Sequence, residues 1–229
     1  MKATLLVLSL LTLMLTTEPR AQDAQPRTDV PAFKVGDEWR FRRQDLDIGG
    51  RGQTSVFTER VERVSETEVW VLGKGADNVP YWRLFEAKSA RPLARYAYDV
   101  DAPGQRGHKT ADDAASASEV QFPLELGKTY KIEESWTNSS GGRGTSDLKA
   151  KITTFAKIKA ASGEYDAFQI EISGWWNGRS FTGSGQQQRT VWYAPAVKRT
   201  IKREHKDFYG GQQEHHIVTE IIDFKSAQP

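Results

Sequence analysis

The sequence predicts an all-β protein folded as a curved antiparallel sheet, half-barrel or barrel-like, and three observations carry that prediction. Apolar residues recur at every second position. Trp39 and Phe41 alternate with Arg40 and Arg42, Val69 and Val71 with Trp70 and Leu72, and Phe168 and Ile170 with Gln169 and Glu171. A period of two belongs to strands. Between these runs stand Gly49-Gly50-Arg51-Gly52, Gly73-Lys74-Gly75, Asn138-Ser139-Ser140-Gly141-Gly142, Asn177-Gly178 and Gly210-Gly211, which supply the positive-φ positions of hairpin turns. No stretch of the expected fold keeps the 3.6 period of a long helix.

Residues 1–21 read as a signal peptide. Lys2 precedes a run at 5–15 interrupted only by Ser9, Thr12 and Met14, a charged n-region followed by an apolar h-region. The run is shorter than the roughly 20 residues that span a bilayer, so no transmembrane segment is expected in the mature form. Residues 22–31, with Pro26 and Pro31, read as a flexible lead-in. A first β unit follows at 32–100, a polar linker at 101–120 and a second β unit at 121–225. Removing 21 residues from 229 leaves 208, enough to bury a core without covalent staples.

The two units look like copies. Phe33-Lys-Val35-Gly36-Asp-Glu-Trp39-Arg-Phe41 lines up with Leu124-Glu-Leu126-Gly127-Lys-Thr-Tyr130-Lys-Ile132. Gly36 precedes Thr54 by the same 18 positions that separate Gly127 from Thr145, and a Gly-Gly-Arg-Gly turn lies inside both intervals. Coincidence among common strand and turn residues is the alternative reading.

Composition excludes several classes. The chain has no cysteine, so it forms no disulfide and offers no thiolate. The expected location is therefore periplasmic or secreted, and not that of a lipoprotein. With 32 Lys+Arg against 30 Asp+Glu, no global attraction to nucleic acid is indicated. A Gly-x-Ser-x-Gly elbow, a His-Glu-x-x-His helix, a Walker loop and a dinucleotide fingerprint are all missing, so no catalytic residue and no cofactor is assigned.

Three groups of side chains are candidates for function. His205, Asp207, Glu214 and His216 flank Gly210-Gly211, and an even-length turn there sets His205 opposite His216 and Asp207 opposite Glu214. Two imidazoles and two carboxylates on one face suit a divalent metal, whereas a one-residue shift of register disperses them. Lys198, Arg199, Lys202, Arg203 and Lys206 form a basic strip, read either as a contact for acidic envelope molecules or as the solvated face of an edge strand. Trp175 and Trp176 must point to opposite faces. One of them, with Trp192, is a candidate wall for a ligand and otherwise a packing residue.

Three segments together resemble a group of uncharacterised exported bacterial β-sheet proteins that share a domain of unknown function. They are Phe122-Pro123-Leu124-Glu-Leu126-Gly127-Lys128-Thr-Tyr130, Ser162-Gly163-Glu-Tyr165-Asp166-Ala167-Phe168, and Trp192-Tyr193-Ala194-Pro195-Ala-Val197-Lys-Arg199. Tyr130 stands where that group more often has tryptophan. The resemblance implies a curved antiparallel sheet in the envelope and brings no catalytic residues. The leading functional expectation is a non-enzymatic protein that holds a lipid or other amphipathic envelope molecule in the concave face. The alternatives are a module that meets another envelope protein through residues 198–220, and a metal-dependent hydrolase using His205 and His216.

Overall fold

A computed structural model describes residues 26–46, 52–102, 105–111, 118–137 and 141–227. The expected signal peptide, the Gly49-Gly50-Arg51 part of one turn and the 138–140 part of another lie outside the described residues. The strands are β1 (Arg27–Thr28), β2 (Glu38–Asp45), β3 (Thr54–Val64), β4 (Glu68–Lys74), β5 (Pro80–Glu86), β6 (Pro92–Tyr98), β7 (Arg106–Ala111) and β8 (Leu124–Glu125). They continue with β9 (Thr129–Thr137), β10 (Arg143–Ala160), β11 (Gly163–Gly178), β12 (Ser184–Ala194), β13 (Arg199–Tyr209) and β14 (Gln212–Lys225). One 3-10 turn, Pro195–Val197, is the helical element among the described residues.

Twelve strands form one antiparallel sheet in the order β7-β6-β5-β4-β3-β2-β14-β13-β12-β11-β10-β9. Two meanders, β2 to β7 and β9 to β14, therefore join where β14 pairs with β2. The sheet is not closed into a barrel: β7 and β9 are its edges. It nevertheless rolls up. β5 and β13 are five strands apart, about 24 Å in a flat sheet, yet the Arg199 guanidinium of β13 lies 5.0 Å from the Phe85 ring centroid of β5.

Two apolar cores line the inside of the roll. One joins Trp39, Phe41, Val61, Val71 and Phe85 of the first meander to Ile201 and Ile221 of the second. The Trp39 indole donates to the Val197 carbonyl at 2.7 Å, and Lys198 donates to the buried Asp37 carboxylate at 2.6 Å, which fastens the 3-10 turn to the start of β2. The other core packs Ile132, Leu148, Ile152, Ile170 and Val191 against Leu124. Leu124 belongs to a strap at 118–126 that brings Val120, Phe122 and Leu126 onto the same cluster.

The stretch expected as a polar linker therefore does more than connect. It supplies the edge strand β7, paired with β6, and the start of the strap.

The segments that align in sequence share their backbone geometry. Gly36 N–H donates to the Val61 carbonyl and Gly127 N–H to that of Ile152, at 2.8 and 2.9 Å. Val61 N–H returns a bond to Asp37, and Ile152 N–H returns one to Lys128. An offset of 91 residues carries the pairs Gln44↔Thr54 and Phe41↔Phe57 onto Ser135↔Thr145 and Ile132↔Leu148. The same offset carries the bulge at Val61/Arg63 onto that at Ile152/Thr154.

Both glycines sit at positive φ, 94° for Gly36 and 82° for Gly127. An added Cβ would meet nothing within 4 Å at Gly127 and only Ala227 Cβ at 3.5 Å beside Gly36, so an alanine at either position pays the left-handed backbone cost alone. Gly36→Ala and Gly127→Ala are expected to destabilise by similar amounts, about 1–2 kcal/mol each, read as shifts of the urea midpoint at unchanged slope. A much larger loss at either position would show that the turn is more tightly packed than its surroundings indicate.

Candidate functional site: an aromatic cleft over a buried polar network

Alternation along the second meander sends one set of side chains into the roll. On β12 these are Gln187, Arg189 and Val191, and on β13 they are Arg203, His205 and Asp207, paired as Gln187↔Asp207, Arg189↔His205 and Val191↔Arg203. On the far side of β13, Asp207 faces His215 and His205 faces Ile217. At the open end of the roll these polar residues floor a cleft of about 520 Å³.

Its wall is aromatic. Trp136, Trp176, Phe181 and Tyr209 interlock with centroid separations of 6.1–6.3 Å, and the Trp176 and Tyr209 rings are stacked at 25°. Glycine makes room for these rings: a Cβ on Gly144 would collide with Trp136, and one on Gly185 would come within 2.8 Å of Trp176.

The floor is a continuous network. Asp207 Oδ1 accepts from Gln187 Nε2 at 2.7 Å and from His205 Nε2 at 2.9 Å. His205 Nε2 lies 3.0 Å from Gln187 Nε2 as well, and Nδ1 lies 3.4 Å from an Arg203 nitrogen; because the ionised Asp207 can only accept, the bond to it places the ring proton on Nε2. Gln187 in turn accepts from Arg189, whose guanidinium also meets Glu134 and, at 2.7 Å, Glu119. Glu119 completes the chain by accepting two bonds from Arg203, at 2.8 and 2.7 Å.

Burial and charge set the protonation states. Burial pushes the His205 imidazolium down in pKa, the Asp207 bond opposes that shift, and the nearby Arg203 adds to it. Burial would raise the Asp207 carboxyl, but the bond from His205 and that from Gln187 hold it below its ordinary value. Burial acts to raise the half-buried Glu119, yet Arg203 and Arg189 keep it far below the carboxylate range. The floor at neutral pH is thus a neutral histidine among ionised partners. One donor at the wall is left over: the buried Trp176 indole N–H has no acceptor among the described residues.

The structure brings some of the expected site residues together and separates others. Trp176, His205, Asp207 and Glu214 all line the cleft. Trp175 is 54% exposed, on the opposite face. Trp192 packs against the first core with the Lys202 ammonium 5.2 Å from its ring.

His216 does not stand opposite His205. A bulge between Asp207 and Phe208 shifts the register by one, so Lys206 faces His216 and Asp207 faces His215. This corrects the expected pairing, and among the described residues no group of three or more His, Asp or Glu side chains is placed to hold a metal ion.

The basic strip is corrected as well, because β13 is an interior strand of the sheet. Lys198 pairs with Asp37, Arg199 with Glu59, Arg203 with Glu119 and Lys206 with Glu204. Sequence reasoning missed Glu119, Glu134, Trp136, Gln187 and Arg189. Arg203, His205 and Asp207 at every second position did signal a polar inward stripe, but Gln186-Gln187-Gln188-Arg189 has no apolar contrast to reveal which face turns inward.

No family model matches the chain, and no curated protein matches it. Among solved structures it is similar to one described as a lipoprotein from Parabacteroides distasonis, at 12% identity and a TM-score of 0.48 over 88% of this chain and 100% of that one. It is also similar to an exported protein with a YmcC-like fold from Bacteroides fragilis, at 12% and 0.48 over 87% and 100%. The lipoprotein YmcC from Escherichia coli follows at 10% and 0.39, over 83% and 86%. The expectation that excludes a lipoprotein is at odds with the descriptions of the first and third of these structures as lipoproteins.

Two outcomes test the network. Because the folded state holds His205 neutral, the unfolded chain takes up the extra proton as pH falls through 6.5, the ordinary histidine value, and stability falls with it. Urea unfolding between pH 7.5 and 5.5 is therefore expected to show a loss that shrinks in His205→Gln; an unchanged slope would remove His205 from the floor's titration. Glu119→Ala leaves the buried Arg189 and the half-buried Arg203 without their shared carboxylate while Arg189 keeps Glu134, and is expected to cost about 1–3 kcal/mol, measured by the same unfolding curves.

Proposed function

We propose that this chain is an exported, non-enzymatic binding protein that takes a small amphipathic ligand into the aromatic cleft. The carrying observation is the cleft itself, about 520 Å³ and lined by Trp136, Trp176, Phe181 and Tyr209 beside Gln187, His205 and Asp207, within the roughly 300–1,000 Å³ usual for small-molecule sites. The aromatic rings offer a flat apolar wall, and Gln187, His205 and Asp207 offer polar contacts at the floor. In this reading the two units at 32–100 and 121–225 are copies of one hairpin-rich ancestor, and only the second, with its longer strands, elaborates the cleft.

The reading through residues 198–220 as a protein contact has less support, since its basic side chains are engaged inside the fold. The hydrolase reading has less still, with His205 and His216 on different faces.

The neutral fluorescent probe N-phenyl-1-naphthylamine tests the proposal. Saturable binding is expected, weakened about tenfold or more by Trp176→Ala and less by Tyr209→Ala. Absence of saturable binding, or equal binding to the Trp176→Ala protein with its circular dichroism intact, would refute the cleft as a ligand site.

A further inference from the structure

The middle of the roll holds a second cavity, about 570 Å³, of different character. Phe33, Phe41, Phe57, Phe85 and Phe122 give it apolar walls, and it is rich in cationic side chains. Two of its carboxylates, Glu119 and Glu134, are engaged by Arg189 and Arg203, and Lys198 is engaged by Asp37.

What remains is one carboxylate, Glu59, shared by Arg83 and Arg199, with Arg95 directly opposite Arg83 on the neighbouring strand. Like charges facing each other across a sheet are unfavourable. Arg199 lies 4.7 Å over Trp39 and 5.0 Å over Phe85, and its Nε–H is buried without an acceptor among the described residues. Arg95, exposed at the rim, rests 5.6 Å from the Tyr81 ring. Burial, together with the charge of Arg83, acts to lower the Arg199 pKa against the pull of Glu59.

We infer that this cavity binds an anionic amphiphile, its carboxylate or phosphate headgroup meeting Arg199 and Arg95 and its apolar chain lying along the phenylalanine rings. Guanidinium groups match both headgroups in geometry, and an oxyanion here would offset the facing arginines. The site is separate from the aromatic cleft: Arg189 and Glu134 line both spaces and stand between them.

Titration calorimetry on the full chain, with monomeric dodecanoate and dodecyl phosphate below their micelle concentrations, tests this. One-to-one binding is expected, weakened fivefold or more by Arg95→Gln, largely kept by Arg95→Lys, falling with salt and unchanged by Trp176→Ala. Arg95 is at the rim, so its replacement leaves the folded core in place. Equal binding of dodecyltrimethylammonium would overturn the charge requirement. Inorganic phosphate binding as tightly as dodecyl phosphate would overturn the apolar half and leave a free-anion site. Binding lost in Trp176→Ala but kept in Arg95→Gln would assign the ligand to the cleft instead, and no binding of either dodecyl anion would refute the site.

Discussion

The ion cluster around Glu119 is the interaction on which the second half of the molecule depends. Glu119 belongs to no strand; it opens the strap that crosses the inner face of the roll. Its two oxygens accept from Arg203 on β13 and Arg189 on β12, and Tyr130 on β9 donates to its backbone carbonyl at 2.7 Å. Three strands are thereby tied to one residue, and the strap's apolar residues are delivered onto the second core. Buried ion pairs contribute little net stability against their desolvation, but removing one partner is costly, so the cluster acts more as a register pin than as a source of stability.

The same cluster divides the interior. Arg189 reaches Glu134 on one side and Gln187 on the other, and beyond Gln187 lie His205 and Asp207 at the cleft floor. Behind it lie the phenylalanines and arginines of the central cavity. One polar wall thus separates a space with a neutral imidazole and an ionised carboxylate from a space with surplus guanidinium charge. Their electrostatics differ because the first is floored by the neutral His205 beside the ionised Asp207, whereas in the second Glu59 is shared between the guanidinium groups of Arg83 and Arg199.

The architecture was legible in the sequence where alternation and turn chemistry agree. Trp39 and Phe41 face inward as the period of two requires, and Gly36 and Gly127 take the same positive-φ turn. The site was legible only in part. Trp176, His205 and Asp207 emerge as cleft residues, but the partner expected for His205 does not, because one bulge after Asp207 moves every later residue of β14 by one. Nothing local announces a bulge inside a run of charged and polar residues, where either face suits water equally well. The basic strip misled for a related reason: a strand dense in lysine and arginine resembles an edge, and its interior position follows from carboxylates far away in the chain, Asp37, Glu59 and Glu119. Glu119 itself was hidden in a stretch whose small and charged composition resembles a linker.

Why such an interior should contain spaces at all follows from strand number. A roll of about eight strands is just filled by its own side chains, and a wider one leaves a lumen. Twelve strands here curl without closing, so the inward residues of the first meander cannot all reach those of the second. The strap at 118–126 fills part of the gap with Val120, Phe122 and Leu124. It lines the middle without filling it and does not reach the open end, and in both places the inward positions carry Arg199, Glu59, His205 and Asp207 instead of aliphatic side chains. A chain that needed only to fold could have filled those positions with larger apolar residues at no loss of stability. The two spaces are a consequence of the fold, but their chemistry is a property of this sequence, and it is on this chemistry that both proposed ligands rest.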